Sequence, residues 1–448
     1  VTDADIGSDA NGNANANANA DADVDVNSSI ADADADAGTG ADTTQRWTHR
    51  VRSADPAVFG LGLFAAMGVL LWTVANLSGA LLPPDPLVGS APLGFGGDVV
   101  AGVWARFDAG WYLNIARDGY GFVSVDQQAN VAFFPAYPLT MRWLGWVLGG
   151  NPLLAGVMVT LASTAGAIVL FARWCTGRIG QRATHWAIVA LLVYPYAWFL
   201  YGAVYADALF LLAVLGAFTL MERGHPVLAG LAGAMATATR PVGMAVVAGL
   251  VVLVWVRRGG WRGLRWGDAG VLLSLGGLVA WMGFLAARFG DPLLFSRIQG
   301  AWGQQTGLAT LFKFDFLSRF TGVRYQVRCI LGGGAPTCSA TEASELVYTA
   351  GVAAQGLLLG AALVATPWII RRFGWAYGVY SAAVLAPAVL GSQDFQGSGR
   401  YLLAAFPLFA LVGVGLAARP RLAVMVSGVS VVMLVVLTSL FARGYYLS

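Results

Sequence analysis

Residues 105–120 read ARFDAGWYLNIARDGY, and they set Arg106 and Asp108 two positions apart among aromatic side chains. Residues 130–138 follow closely as NVAFFPAYP. A carboxylate can take the proton of an attacking hydroxyl, and a guanidinium grips a phosphate through a planar fork. Most of the remaining chain is apolar enough for lipid, where ionisable groups are costly and usually have a task. Three more places combine an ionisable group with a break in an apolar run: Tyr194-Pro195-Tyr196 with Tyr205-Ala206-Asp207, Arg240-Pro241, and Gln393-Asp394 with Arg400-Tyr401.

Three of these residues have a plainer reading. Asp108 is a favourable N-cap for a helix that starts at Ala109 and ends before Gly119. Arg240 and Arg400 sit where a guanidinium can snorkel to the membrane interface. Asp207 lies just inside a span, and an acid there is harder to dismiss.

The elements that must position these groups follow from composition. Of 448 residues, 57% are hydrophobic and 11% charged, and mean hydropathy is +0.65. A soluble domain carries roughly a quarter charged residues, and several runs here exceed the ~20 apolar residues that cross a bilayer. The expected fold is an all-α polytopic membrane bundle. Continuous apolar runs, without alternation, exclude a β-barrel.

Residues 1–45 are repetitive Asp, Asn and Ala with ten acids and no Lys or Arg. They hold no aromatic residue, no Leu and only scattered Ile and Val, too little to bury, and are expected to be a disordered cytoplasmic tail. Their Asp-Ala-Asp triplets match a metal-binding pattern, but low complexity explains them better. The remaining 46–448 form the membrane domain, where 14 acids face 27 bases. That excess suits anionic lipid and phosphate-bearing ligands. The arginines are spread between helices, which speaks against nucleic acid.

Arg46, Arg50 and Arg52 precede the first span, 57–82, and place the N-terminus in the cytoplasm. Outer loops are expected at 83–151 and 289–345. Residues 133–149 are read as an interfacial or re-entrant helix, because Pro135, Pro138 and Arg142 interrupt them. Further spans are expected at 152–172, 186–201, 205–221, 226–239, 242–256, 269–287, 347–370, 375–390, 401–416 and 422–441, about eleven in all. This arrangement puts His49, His185 and His225 inside and most carboxylates outside. Chemistry on the outer face must then use a carboxylate. Cys329 and Cys338 share one outer loop, where an oxidising exterior permits a disulfide, and Cys175 lies inside.

Arg106-Phe107-Asp108 with Ile115-Ala116-Arg117-Asp118-Gly119-Tyr120 resembles the R-W-D … I-A-x-x-G-Y segment of the PIG-V-like mannosyltransferases. Phe133-Phe134-Pro135-Ala136-Tyr137-Pro138 resembles their F-F-P-x-Y-P. The stretch from Tyr205 to Phe210 resembles Y-[ST]-E-x-L-F, with Asp207 in place of Glu. Ala238 to Gly243 resembles A-x-x-R-[PS]-x-G. The likeness runs from Arg106 to Gly243, and beyond residue 260 it is one of topology.

The resemblance implies a GT-C type enzyme that uses a polyprenyl-phosphate sugar, usually mannose, on the outer face of the plasma membrane. It implies a lipid or glycan acceptor and an acidic base in the first outer loop. Asp108 is the catalytic candidate. Arg106, Tyr112, Asp207, Arg240, Asp394 and Arg400 are the substrate-binding candidates, and Arg106 would keep Asp108 ionised if the two side chains meet. No cofactor is expected, no residues are assigned to a metal, and divalent-metal dependence stays open. The rival reading is a transporter or flippase without chemistry. It would call for inverted repeats and a polar midplane, and neither is evident.

Overall fold

Apolar runs that leave water must satisfy their backbone polar groups internally, and this chain does so with helices. The computed structural model describes residues 55–85, 100–303, 308–331, 341–392 and 394–447. The expected tail at 1–45 lies outside the described residues, as do His49, Cys338 and Gln393. The Cys329–Cys338 pairing therefore falls outside them too. Cys175 is a buried free thiol.

Fourteen helices carry the fold among the described residues. They are α1 (Pro56–Leu81), α2 (Ala109–Asp118), α3 (Ala136–Val147), α4 (Pro152–Leu192), α5 (Asp207–Glu222), α6 (Pro226–Thr239), α7 (Met244–Arg257), α8 (Gly276–Phe289), α9 (Phe314–Leu331), α10 (Glu342–Phe373), α11 (Trp375–Leu390), α12 (Ser398–Ala404), α13 (Phe406–Ala417) and α14 (Pro420–Ala442). Single helical turns and short 3-10 segments connect them, and no strand occurs among the described residues. The all-α membrane fold expected from composition is the fold observed.

Five helical segments are long and apolar enough to cross a bilayer: α1, α4, Trp266–Phe289, α10 and α14. A sixth is made if α12 and α13, bent by 80° at their junction, count as one. The expected eleven spans are not reached by this measure, and the reason is length. The 14 residues of α6 rise about 21 Å at roughly 1.5 Å each, against a hydrocarbon core of about 30 Å.

Three expected spans also have different shapes. The run 186–201 is helical only to Leu192 and continues as a buried turn with a 3-10 segment at Ala197–Leu200. The first part of 269–287 is 3-10, within Trp266–Leu275. The run 401–416 breaks at Ala405, ahead of Pro407 in the first turn of α13. Within α4 the two expected helices meet at Gly180, whose φ of 75° suits a residue without Cβ. The segment read as interfacial is α3, and its 12 residues are too short to span. It leaves Trp143, Trp146 and Val147 exposed.

The core that supports the site is the turn between α4 and α5. Trp198, Phe199, Tyr201 and Tyr205 are fully buried there. Helix α6, which ends at the site, packs tightly on the Trp266–Phe289 segment. A Cβ at Gly277 would lie 2.0 Å from the Ala234 carbonyl oxygen, so backbones approach as closely as small residues allow.

Candidate active site

Asp108 is held by a short helix that is fastened at both ends. Helix α2 starts directly after it and ends at Gly119, whose φ of 87° closes the helix as expected. Arg142 of α3 reaches the last carbonyls at that end. Its Nε donates to Ala116 O and its Nη2 to Ile115 O, each at 2.8 Å. A cation at a helix C-terminus is favourable, so a residue that interrupts an apolar run by sequence is a cap in space. At the other end, Val204 N donates to Trp104 O at 3.1 Å, and Tyr205 Oη donates to Arg106 O at 2.9 Å.

Asp108 occupies the N-cap position, yet its side chain makes no capping bond. The carboxylate instead accepts from Arg400 Nη1 at 2.9 Å. The preceding Phe107 has φ of 52°, one of two non-glycine residues with positive φ among those described. Such a backbone costs about 1–3 kcal/mol and persists where its surroundings enforce it. Here the Phe107 ring is clamped edge-on by Tyr446, 4.7 Å between centroids.

Asp207 opens α5, with its carboxylate at the positive end of that helix. It is buried and accepts from two guanidiniums, Arg240 Nη1 on Oδ1 and Arg400 Nη2 on Oδ2, the second at 3.4 Å. Arg240 is the extended residue (φ −155°, ψ 150°) that ends α6. The following Pro241 disfavours helix at that position, and this swings Arg240 out of the helix. The carboxylate absent from its sequence neighbourhood is supplied by α5.

Arg400 is neither exposed nor snorkelling. It sits in α12 over the rings of Tyr205 (4.6 Å) and Phe199 (5.0 Å), with its guanidinium between Asp108 and Asp207. Arg240 lies over Tyr401 at 5.3 Å. The four groups form one chain of charge, Asp108–Arg400–Asp207–Arg240, with no net charge. Asp108 is its accessible end: its side chain is 26% exposed, against 11% for each arginine and 2% for Asp207.

Asp108, Tyr112, Arg240 and Arg400 line one cavity of about 360 Å³ with Phe133, Trp302, Gln396 and Tyr446. Tyr112 is buried, and burial raises its hydroxyl pKa, so it stays protonated there.

Two of the candidate residues stand away from this cavity. Arg106 does not meet Asp108. Its Nη2 donates to Ala442 O at 2.5 Å, at the C-terminal end of α14, and burial lowers its pKa to about 10. Its Nε and Nη1 have no hydrogen-bond partner among the described residues. The lone pair of residues in sequence points to opposite partners because Phe107 reverses the backbone between them. Asp394 stands behind the cavity wall, not on it. It accepts from Tyr348 Oη and from Gln396 N, each at 2.9 Å, and so fixes Gln396, which does line the cavity.

The residue that sequence reading missed is Tyr446. Nothing at the end of an apolar helix distinguishes it from an interfacial tyrosine. Among the described residues, no group of three or more His, Cys, Asp or Glu side chains is placed to hold a metal ion.

No protein-family model matches the chain, and no protein of curated function matches it in sequence. The resemblance to the PIG-V-like family therefore rests on its motifs. Solved structures show a distant likeness in helical architecture. The crystal structure of ArnT from Cupriavidus metallidurans bound to undecaprenyl phosphate is 17% identical, with 86% of this chain and 75% of that one covered at a TM-score of 0.45. The oligosaccharyltransferase of Archaeoglobus fulgidus in complex with zinc and sulfate is 11% identical, with 84% and 53% covered at 0.42. This chain thus spans about half the length of the second.

Proposed function

We propose that this chain is a GT-C type membrane glycosyltransferase. It moves mannose, or a related hexose, from a polyprenyl-phosphate donor to a lipid or glycan acceptor on the outer face of the membrane. The observation that supports this reading is a cavity lined together by a reachable carboxylate, Asp108, and two guanidiniums, Arg240 and Arg400. The motifs between Arg106 and Gly243 support the choice of sugar donor.

In this reading Asp108 accepts the proton of an acceptor hydroxyl as its oxygen bonds to the anomeric carbon. The bond from that carbon to the phosphate oxygen breaks, and polyprenyl phosphate leaves with the electron pair. Arg240 and Arg400 stabilise the negative charge that gathers there. Each guanidinium has five N–H donors, so holding Asp207 leaves donors for phosphate. Attack opposite the phosphate inverts the anomeric centre, and a β-linked donor yields an α-linked product. The test is to incubate purified protein in lipid nanodiscs with radiolabelled polyprenyl-phosphate mannose and crude membrane lipids. A labelled glycolipid or glycan is expected. Labelled donor recovered intact under all conditions sinks the proposal.

A further inference from the structure

A second, smaller cavity of about 170 Å³ adjoins the first. It is lined by Arg319 of α9, by Ser344, Glu345 and Tyr348 of α10, and by Asp85, Tyr445 and Tyr446. Tyr446 lines both cavities. The partition continues through Tyr348, whose hydroxyl bonds Asp394 Oδ2 at 2.9 Å and Gln396 Oε1 at 3.0 Å. Gln396 faces the larger cavity. A ligand in the second cavity is therefore one aromatic ring away from the cavity that holds Asp108.

The two cavities differ in charge. The larger presents two guanidiniums against one carboxylate, and the smaller presents one guanidinium against two carboxylates. A phosphate is drawn to the first and disfavoured in the second. The smaller cavity suits a neutral molecule with many hydroxyls. Tyr348, Tyr445 and Tyr446 line it and give aromatic surface against which a sugar ring packs, and carboxylate oxygens accept hydrogen bonds from hydroxyls. Glu345 is only loosely engaged, 3.9 Å from Arg319, and its side chain is 45% exposed. Arg319 lies over the Tyr348 ring at 4.6 Å, and its Nε is shielded from solvent with no hydrogen-bond partner among the described residues.

The cavity is also built firmly. The segment after α14 is tied to the chain after α1: Arg443 Nε donates to Pro83 O at 2.7 Å, and Asp85 N donates to Arg443 O at 3.0 Å. Ser344 Oγ donates to Asp85 Oδ1 at 2.5 Å.

Resting on the glycosyltransferase reading, we infer that this second cavity is the acceptor subsite and takes a neutral sugar ring or polyol head group. Tyr446 is the wall past which the acceptor hydroxyl reaches Asp108. The donor's phosphate does not enter it.

The experiment measures binding by the full-length protein in nanodiscs, with octyl α-mannoside and undecaprenyl phosphate as separate probes. Glu345→Gln and Tyr445→Leu should each weaken octyl mannoside binding about tenfold and leave undecaprenyl phosphate binding unchanged. Arg240→Lys should do the reverse. Octyl mannoside that does not bind, or binds equally to wild type and both variants, while undecaprenyl phosphate binding still depends on Arg240, overturns the subsite alone. Failure of both probes to bind overturns the subsite and the glycosyltransferase reading together.

Discussion

Arg400 donates to the carboxylate of Asp108 at 2.9 Å across 292 positions of sequence. The bond joins the start of α2 to α12, the helix that precedes α13. It also settles what the Asp108 side chain is not doing, because a carboxylate facing Arg400 is not capping α2.

The substitution Asp108→Asn separates base from scaffold. Asn is as good an N-cap as Asp, and no capping bond exists to lose. The variant should fold and insert normally, while transfer from polyprenyl-phosphate mannose falls by a factor on the order of 10²–10⁴. Turnover near wild type would remove Asp108 as the base.

The pair Asp207–Arg240 is nearly closed to water. Removing one partner of such a pair costs about 3–5 kcal/mol, because the other charge is left buried. Here Arg400 keeps a longer contact to Asp207, so the cost of Arg240→Ala should fall at the low end, read as a drop in melting temperature. The double variant Arg240→Gln/Asp207→Asn should be more stable than Arg240→Ala. Arg240→Lys keeps the charge without the planar fork and should weaken donor binding with little loss of stability. A double variant less stable than Arg240→Ala would show that the pair is not the unit described.

The helical class of the chain was legible because apolar composition leaves the backbone no other choice in lipid. Asp207 and Arg240 were legible as ionisable groups at helix breaks. Their pairing was not, since it depends on where α5 and α6 end relative to each other, and Pro241 turns the side chain only in three dimensions. Arg106 shows the converse case. Two residues of separation left contact with Asp108 open, and with one positive-φ residue between them Arg106 turns instead to Ala442. Apolar runs shorter than the bilayer leave the count of long helices at five or six, below the expected eleven spans, and Tyr446 was hidden because a tyrosine after a membrane helix is ordinarily interfacial.

Arg106→Met tests that placement. It removes a charged hydrogen bond to Ala442 O, worth about 1.5–3 kcal/mol, and loosens the segment that carries Tyr446. Stability should fall by that order. The acid limb of the pH–rate profile should stay in place, since Arg106 does not touch Asp108. Movement of that limb toward higher pH would restore Arg106 as the partner of the Asp108 carboxylate.

The most demanding prediction concerns a residue that reaches no substrate. Gly399 precedes Arg400 in α12 and lies flat against Tyr196. A Cβ there would fall 2.6 Å from the Tyr196 ring carbons Cγ and Cδ1. The ring is fully buried, and those atoms sit near its root, so the ring cannot swing aside. Gly399 N also donates to Gln355 Oε1 at 3.0 Å, which pins the same turn from α10. Adding one methyl group must therefore move α12, and overpacking of this kind costs about 1–3 kcal/mol. The displaced guanidinium of Arg400 loses its place between Asp108 and Asp207. Misplacement of a positioning group by about 1 Å can cost on the order of 10² in rate, and Gly399→Ala should lose transfer by that order while remaining folded. Replacing the ring with a smaller side chain should make room. Gly399→Ala/Tyr196→Leu should recover part of the lost rate, although Tyr196→Leu alone destabilises the core. Full activity in Gly399→Ala would mean that Arg400 does not need its observed position, and the charge chain would lose its role in transfer.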